Sequence, residues 1–526
     1  NIPNGCWAPH RMDVMSGSWL PCRPLRRTDP NVIADILAQE MDCIGINCVH
    51  DDAATWLRII AQLPSAERAL GSSCRIAMDL GGPKLRTGPI ENGPCVLRVR
   101  SSRDAYGRVT APARVWLAAE GRPPPCPADA SLTVPAAWLS RIDRGDHISI
   151  SDARDSSRSW KVVEADNNGC WAEADKTTYL TSDTLLHHRA GRSKGAGKAT
   201  RIGALPAKAD LIRLHMGDQL VLTRDGAPGC PAIVGADGKV RSPATIGCTL
   251  PEVFDDVLTG QAIWFDDGKI GGVVRRVEHS RVHVDITHAG SGGEKLRANK
   301  GINLPDSALR LDALTAKDMQ DLEFVAKHAD IVELSFANEA HDVAMQQQEL
   351  LRLGGRQFAI VLKIETRRGF ENLPDMLLTA MRWPSCGVMI ARGDLAVECG
   401  FERLAELQEE ILWICEAAHV PAIWATQVLD TLARTGRPSR AEITDAAMSD
   451  RAECVMLNKG PHVLDALKTL DDILRRMQAH YSNKQPMLRQ LTLAHGLASD
   501  PHPAPIELPH LRAKRDSSGQ HHLRVE

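Results

Sequence analysis

Between about Pro305 and Tyr481, short apolar runs alternate with stretches whose apolar residues recur every three or four positions, the pattern of successive strand and helix units. The runs Ile331 to Phe336, Phe358 to Ile364, Gly387 to Ala391, Pro421 to Ala425 and Cys454 to Leu457 are apolar at both parities, which predicts parallel strands buried on both faces. Leu404, Leu407, Ile411 and Ile414 share one helical face, and Val463, Leu467, Leu470, Leu474 and Met477 share another; both read as core stripes. The same alternation appears earlier, with a helix over Asn31 to Gln39, a strand over Cys43 to Asn47, a helix over Ala53 to Leu63 and a strand over Arg75 to Asp79. Ser16 to Thr28 shows no comparable strand pattern.

From about Pro89 to Asn299 the helical period gives way to short alternating runs broken by Gly, Pro and Asp, which predicts an inserted all-β domain. Within it Gly145 to Ala174 faintly echoes Gly260 to Thr287, as a duplicated β unit would. Ala190 to Lys198 is small and basic and reads as a mobile loop. The expected organisation is an irregular N-terminal segment over 1–30, a discontinuous α/β domain over 31–88 and 300–482, a β-rich insertion over 89–299 and a C-terminal tail over 483–526.

Length agrees, since 526 residues exceed what one core organises. Hydrophobic residues at 43% and charged residues at 25% describe a packed globular chain. A formal net charge of -3 gives no reason to invoke nucleic acid, and the basic residues Arg512, Lys514 and Arg515 sit in a polar tail. The 14 cysteines include no C-x-x-C pair, so reduced thiols are expected. No apolar run of membrane length and no leader is present, which leads to the expectation of a cytoplasmic protein without a membrane partner. Because the first residue is Asn1, the true start is expected to be missing or the chain to be a fragment.

Barrel enzymes carry their chemistry at the C-terminal ends of their strands, so polar residues just after apolar runs are the candidates. AIVLKIE ends in Lys363 and Glu365, GVMIARGD in Arg392 and Asp394, AIWATQ in Thr426, and IAMDLGGPKLR carries Asp79 and Arg86. Residues two apart on a strand share a face, so Lys363 and Glu365 point the same way. Glu365 and Asp394 supply the hard oxygens that magnesium takes, while Lys363 would neutralise a transferring phosphoryl group and the oxygen it leaves. A turn at Gly393 could aim backbone N–H groups at an anion if a helix near Phe401 begins there. The alternative for Lys363 and Glu365 is a buried ion pair with a structural role. Two other patterns are set aside: GAGKAT at Gly195 to Thr200 lacks the Ser or Thr of a phosphate loop and a preceding strand, and His187 and His188 lack companion ligands and read as surface residues.

At these residues the sequence resembles pyruvate kinase. The resembling segments are MDLGGPKLRTG (Met78 to Gly88), IWFDDGKI (Ile263 to Ile270), KGINLPD (Lys300 to Asp306), KIETRRG (Lys363 to Gly369), MIARGDLAVE (Met389 to Glu398), ATQVLDTL (Ala425 to Leu432) and RPSRAEITDAA (Arg437 to Ala447). The resemblance implies a (β/α)8 TIM barrel with an inserted β domain, here longer than the family's usual lid, and transfer of a phosphoryl group from phosphoenolpyruvate to ADP with Mg²⁺ and usually K⁺. It implies Lys363 as the group that stabilises phosphoryl and enolate, Glu365 and Asp394 as Mg²⁺ ligands, Thr426 beside the enolate carbon, and the backbone of Arg392, Gly393 and Asp394 as the seat of the substrate carboxylate. Asn47 and Asp79 match potassium-site positions, His50 an ADP-side position and Arg86 an active-site arginine. A homo-oligomer through barrel helices near Arg440 is compatible with it.

The departures from the family's pattern cluster. R-x-N-F-S-H stands here as Gly45 to His50, with Gly45 for the phosphate-binding arginine and Val49 for a potassium-ligand serine. D-T-K-G-P stands as Asp79 to Pro83 without its threonine and lysine, S-G-E-T-A is replaced by Leu457 to Pro461, and a first barrel strand and a C-terminal regulatory domain are not evident. Two further readings therefore stand beside the kinase: an impaired relative that binds a metabolite, and another phosphoenolpyruvate- or pyruvate-binding barrel such as a lyase.

Overall fold

The computed structural model describes residues 17–22 and 30–481, apart from 40, 50, 120–121, 167, 191–198, 206–210 and 355–357. The expected tail over 483–526, His50 and most of the loop Ala190 to Lys198 lie outside the described residues.

Eight strands close into a barrel in chain order: β1 (Gly17–Cys22), β2 (Cys43–Asn47), β3 (Arg75–Asp79), β4 (Ile331–Leu334), β5 (Ala359–Ile364), β6 (Ser385–Ala391), β7 (Ala422–Val428) and β8 (Cys454–Leu457). Every neighbouring pair is parallel, including β8 back to β1. Seven of the eight were legible as apolar runs. β1 corrects the expectation of an irregular segment through residue 30. GSWLPC carries Gly17, Ser18 and a proline without an N–H, so no apolar run marks it. It is nonetheless in register with both neighbours, Trp19 opposite Cys43 and Ser18 opposite Val455, and its pairing removes the two edges an open sheet would expose.

The inward parity of these strands supplies a core of Cys43, Ala77, Ile331, Ala359, Val361, Met389, Ile423, Ala425 and Cys454. Three alanines among them let the inner layers fill without a channel. Helices follow the strands as predicted, with the stripes Leu407, Ile411 and Leu467, Leu470, Leu474 buried. The predicted helix over Ala53 to Leu63 is two helices, Ala53–Ile60 and Leu63–Leu70; Pro64 in the first turn of the second pre-sets its start. The helix Arg440–Met448 opens on a reciprocal cap, Ser439 Oγ accepting from the Glu442 N–H and Glu442 Oε2 from the Ser439 N–H, which gives the S-R-A-E of that segment a structural use.

The chain divides into two compact units, Asn1–Leu80 with Ala316–Arg392 and Glu402–Glu526, and Gly81–Thr315 with Gly393–Phe401. The division falls at Leu80 and Ala316, earlier and later than 88 and 300, because the short segment after β3 pairs with β-rich chain: Arg86 bridges Gly301, and Thr87 bridges Cys248.

The second unit contains two β modules with separate cores. A seven-stranded sheet runs, in spatial order, through Ala199–Arg201, Leu185–Arg189, His147–Ser151, Ser157–Ala165, Gly169–Ala174, Ala113–Ala118 and Ala130–Thr133, around Leu117, Ile148, Trp160 and Val162. A six-stranded sheet runs through Ala244–Gly247, Gln219–Thr223, Arg281–His288, Ile270–Glu278, Ala262–Phe265 and Ile302–Asn303, around Leu220, Phe265, Val274 and Val284. The faint echo is a shared antiparallel three-strand meander, and its entry turn recurs bond for bond. Gly145 and Gly260 stand at φ 94° and 93°; each donates to the carbonyl of a facing valine, Val162 or Val274, whose N–H returns to the carbonyl just after the glycine. A third copy at Gly217, also φ 93°, exchanges the same two bonds with Ile286. In each copy the next side chain accepts from the N–H three residues upstream: Asp146 from Asp143, Asp218 from His215, Gln261 from Leu258.

The strands Leu185–Arg189 and Ala199–Arg201 are antiparallel partners, so a strand does precede GAGKAT, but the next element is a strand and not the helix that a phosphate loop needs. His188 is not a surface residue: its Nε2 lies 2.7 Å from Asp146 Oδ2 and its ring meets Trp138 edge-on.

A β-carbon at Gly145, Gly217 or Gly260 meets nothing within 4 Å, so an alanine there is penalised by backbone conformation alone. Each Gly→Ala change is expected to cost about 1–2 kcal/mol. Gly169→Ala, whose β-carbon would stand 2.7 Å from the Leu117 carbonyl oxygen, is expected to cost more. Urea unfolding followed by tryptophan fluorescence ranks the four.

Candidate active site

β3, β4 and β5 are adjacent and in register, Asp79 opposite Glu333 and Glu333 opposite Val361, so their C-terminal ends bring three chain segments to one place. Lys363 Nζ donates to Asp79 Oδ1 and to Ser335 Oγ, both at 2.8 Å, and lies 3.4 Å from Glu365 Oε1. Ser335 Oγ donates in turn to Asp79 Oδ1 at 3.0 Å, and Asn47 Nδ2 to Asp79 Oδ2 at 2.7 Å. Glu365 Oε2 accepts the Phe336 N–H at 2.7 Å, where Phe336 adopts a positive φ of 55°. Lys363, Asp79 and Glu365 are all close to buried, with side-chain exposures of 11%, 12% and 6%.

Burial by itself would push the Lys363 ammonium down, but the neighbouring Asp79 and Glu365 outweigh it and hold the group charged well above the ordinary lysine range. Glu333 was missed by the sequence reading. It is 1% exposed, and among the described residues neither of its carboxyl oxygens has a hydrogen-bond partner. Burial first, then the charge of Asp79, drives its pKa well above the carboxylate range, so it is the neutral acid of the group. The signal was a glutamate inside the otherwise apolar run IVELSF.

β7 carries Thr426 on an irregularity. Its pairing with β8 shifts between Trp424 and Val428, and Thr426 and Gln427 adopt φ of 66° and 60°. A β-branched residue in that region is strained, and its surroundings must hold it there. Arg392 supplies much of that hold: its Nε donates to the Ala425 carbonyl at 2.9 Å, its Nη2 to the Thr426 carbonyl, and both terminal nitrogens engage Asp445. The guanidinium also lies over the Trp424 ring at 4.8 Å.

In the first unit, then, Lys363, Glu365, Asp79 and Asn47 form one bonded group, and Arg392 with Thr426 a second. The other candidates, Arg86, Gly393 and Asp394, belong to the second unit. Arg86 is held through its backbone, which receives Thr249 Oγ1 as acceptor and bridges Gly301. Asp394 accepts from Lys84 Nζ at both oxygens, 3.0 and 2.8 Å. The helix carrying Gly393 is Arg392–Cys399, starting directly after β6; the expected start near Phe401 is instead a short 3-10 turn, Phe401–Arg403.

The donors Glu365 and Asp394 suit magnesium in kind, being hard carboxylate oxygens. Their disposition does not leave them open: Glu365 is engaged by Phe336 and Lys363, and both oxygens of Asp394 by Lys84. Among the described residues no group of three or more His, Cys, Asp or Glu side chains is arranged to hold a metal ion.

An eight-stranded parallel barrel, with polar groups gathered at the C-terminal ends of its strands and a long β insertion, defines a (β/α)8-barrel protein of the TIM type. The family model for the pyruvate kinase barrel domain matches residues 196–461, half of the chain, and the chain belongs to the pyruvate kinase family. It is 33% identical over 253 residues to the pyruvate kinase of Clostridium acetobutylicum, 47% of this chain and 52% of that protein. It is 31% identical over 301 residues to that of Bacillus licheniformis, 56% and 50% of the two chains, and 32% identical over 298 residues to the human pyruvate kinase PKLR, 55% and 48%. The chain thus spans about half the length of the curated relatives it matches. No described helix is long and apolar enough to cross a membrane.

The sequence pattern gives a strand-end lysine little packing, so Lys363→Ala would be expected to leave folding nearly intact. The observed environment reverses that expectation. Removing the ammonium takes from the nearly buried Asp79 and Glu365 carboxylates the cation they share, and Lys363→Ala is expected to lose about 3–5 kcal/mol of stability in urea melts. Glu333 sets a pH dependence of opposite character. Its folded pKa lies above its unfolded one, so the folded state binds the extra proton, and stability falls as pH rises from the ordinary carboxyl range toward the raised value. Glu333→Gln is expected to remove that decline, read as a variant-minus-wild-type difference in urea midpoint that grows as pH rises from 5 to 8.

Proposed function

We propose that the chain transfers a phosphoryl group between phosphoenolpyruvate and ADP, forming pyruvate and ATP as in glycolysis, in the cytoplasm. The observation that carries this reading is the buried Lys363 ammonium, kept charged by Asp79 and Glu365 at the end of a barrel strand. Phosphoryl transfer breaks the bond between phosphorus and the enol oxygen, forms one to the terminal phosphate oxygen of ADP, and leaves an enolate that takes a proton at carbon. A fixed cation beside the enol oxygen stabilises the negative charge that develops there and needs no reorganisation to do so. Thr426, on its strained bulge, is the residue assigned to the enolate carbon, with the backbone at Arg392, Gly393 and Asp394 for the carboxylate. Asn47 and His50 are assigned to the nucleotide side and Arg86 as an active-site arginine by the family pattern. Glu365 and Asp394 are the assigned Mg²⁺ ligands and Asn47 and Asp79 the K⁺ ligands; no step is routed through either ion. Association of copies through the helix Arg440–Met448 belongs to the same proposal.

A second reading, a relative that binds the metabolite without turning it over, is favoured by Gly45, Val49 and the loss of the threonine and lysine after Asp79. A missing arginine at a phosphate site removes about 10³-fold of rate or more by the precedent of arginine fingers. A lyase acting on the same enolate is the third.

The test is coupled pyruvate formation from phosphoenolpyruvate with ADP and Mg²⁺, with and without K⁺, beside separate binding of each substrate. Turnover that Lys363→Met abolishes is the expected result. Phosphoenolpyruvate binding without ADP binding or turnover selects the second reading, and a gain of rate on Gly45→Arg locates the deficit in the nucleotide half.

A further inference from the structure

The carboxylate that the family pattern gives to a divalent cation is already met by a cation of the chain itself. Lys84 lies in the run DLGGPKLR and Asp394 310 positions later, at the third residue of the helix Arg392–Cys399. The Lys84 ammonium is nearly equidistant from the two oxygens, 3.0 Å from Oδ1 and 2.8 Å from Oδ2, so it caps the chelating face of the carboxylate. Both side chains are mostly shielded, at 24% and 18% exposure, which weakens solvent screening of the pair. The backbone holds the lysine in place: its N–H donates to the Gly82 carbonyl at 2.9 Å, Gly82 stands at φ 62°, and Lys84 Cε passes 3.7 Å from the point where Gly301 would carry a β-carbon. The lysine that the family places two residues after the aspartate of β3 is Gly81 here, so the cation at Lys84 is positioned differently from the one lost.

A divalent ion held at the chelating face of Asp394 would need the place the ammonium holds and would be repelled by it. We propose that Lys84 is a resident counter-ion that competes with divalent metal for Asp394, so that metal enters only as the lysine withdraws and the chain's intrinsic affinity for the ion is low. The inference rests on the assignment of Asp394 as a metal ligand made above. It identifies a residue that sets metal affinity, and explains why both oxygens of an assigned ligand are in use.

The test is Mn²⁺ binding to the full chain, without substrates, read from the electron paramagnetic resonance signal of free Mn²⁺. Lys84→Gln and Lys84→Ala are expected to bind Mn²⁺ at least about tenfold more tightly than the wild type, a change worth about 1.4 kcal/mol, while Lys84→Arg, which keeps the charge, stays near it. Asp394→Asn in the Lys84→Gln background is expected to abolish the gain. Unchanged or weaker binding in both Lys84→Gln and Lys84→Ala overturns the inference. Should Asp394→Asn in the wild type still weaken binding, the ligand assignment survives and only the competition fails; should it leave binding unchanged as well, the ligand assignment fails with it.

Discussion

One ammonium buried among three carboxyl groups is the constraint around which the strand ends of the barrel are built. Lys363 keeps its charge at such a depth because Asp79 and Glu365 stand beside it. The arrangement requires β3, β4 and β5 to be adjacent and in register, as they are in the closed barrel. Glu333, neutral because burial forbids its ionisation, lets a third carboxyl stand in the same place without adding charge.

β7, two strands from Lys363 on β5, carries backbone strain of its own. Thr426 and Gln427 hold left-handed backbone in a strand, where β-branched side chains are disfavoured, and Arg392 ties the carbonyls of Ala425 and Thr426 to Asp445. An arginine so committed acts through the backbone it fixes. Its neighbours Gly393 and Asp394 occupy the first turn of the following helix, and Asp394 has its own partner in Lys84.

The enlarged insertion is two β modules, each with its own core, joined by a common grammar of turns. A glycine at φ near 93° reverses the chain, its N–H reaches a facing strand, and the following Asp or Gln closes the turn over three residues. Positive φ is what makes glycine obligatory at these three positions, and the repetition accounts for the weak internal echo in the sequence.

The local period of the sequence by itself determined seven barrel strands, the helices between them, the β character of the insertion and the candidates Lys363, Glu365, Asp79, Arg392, Asp394 and Thr426, because burial on both faces or one leaves a mark within a few residues. The strand Gly17–Cys22 escaped because Gly17, Ser18 and Pro21 carry no such mark and its place is dictated by the two neighbours it joins. Only the tertiary structure decided who neutralises whom. Asp79 and Lys363 are 284 residues apart, Lys84 and Asp394 are 310 apart, and the raised pKa of Glu333 comes from its burial first and then from Asp79 on another strand. Charge pairing depends on distance through space across strands remote in the chain, and a linear pattern holds no record of that distance.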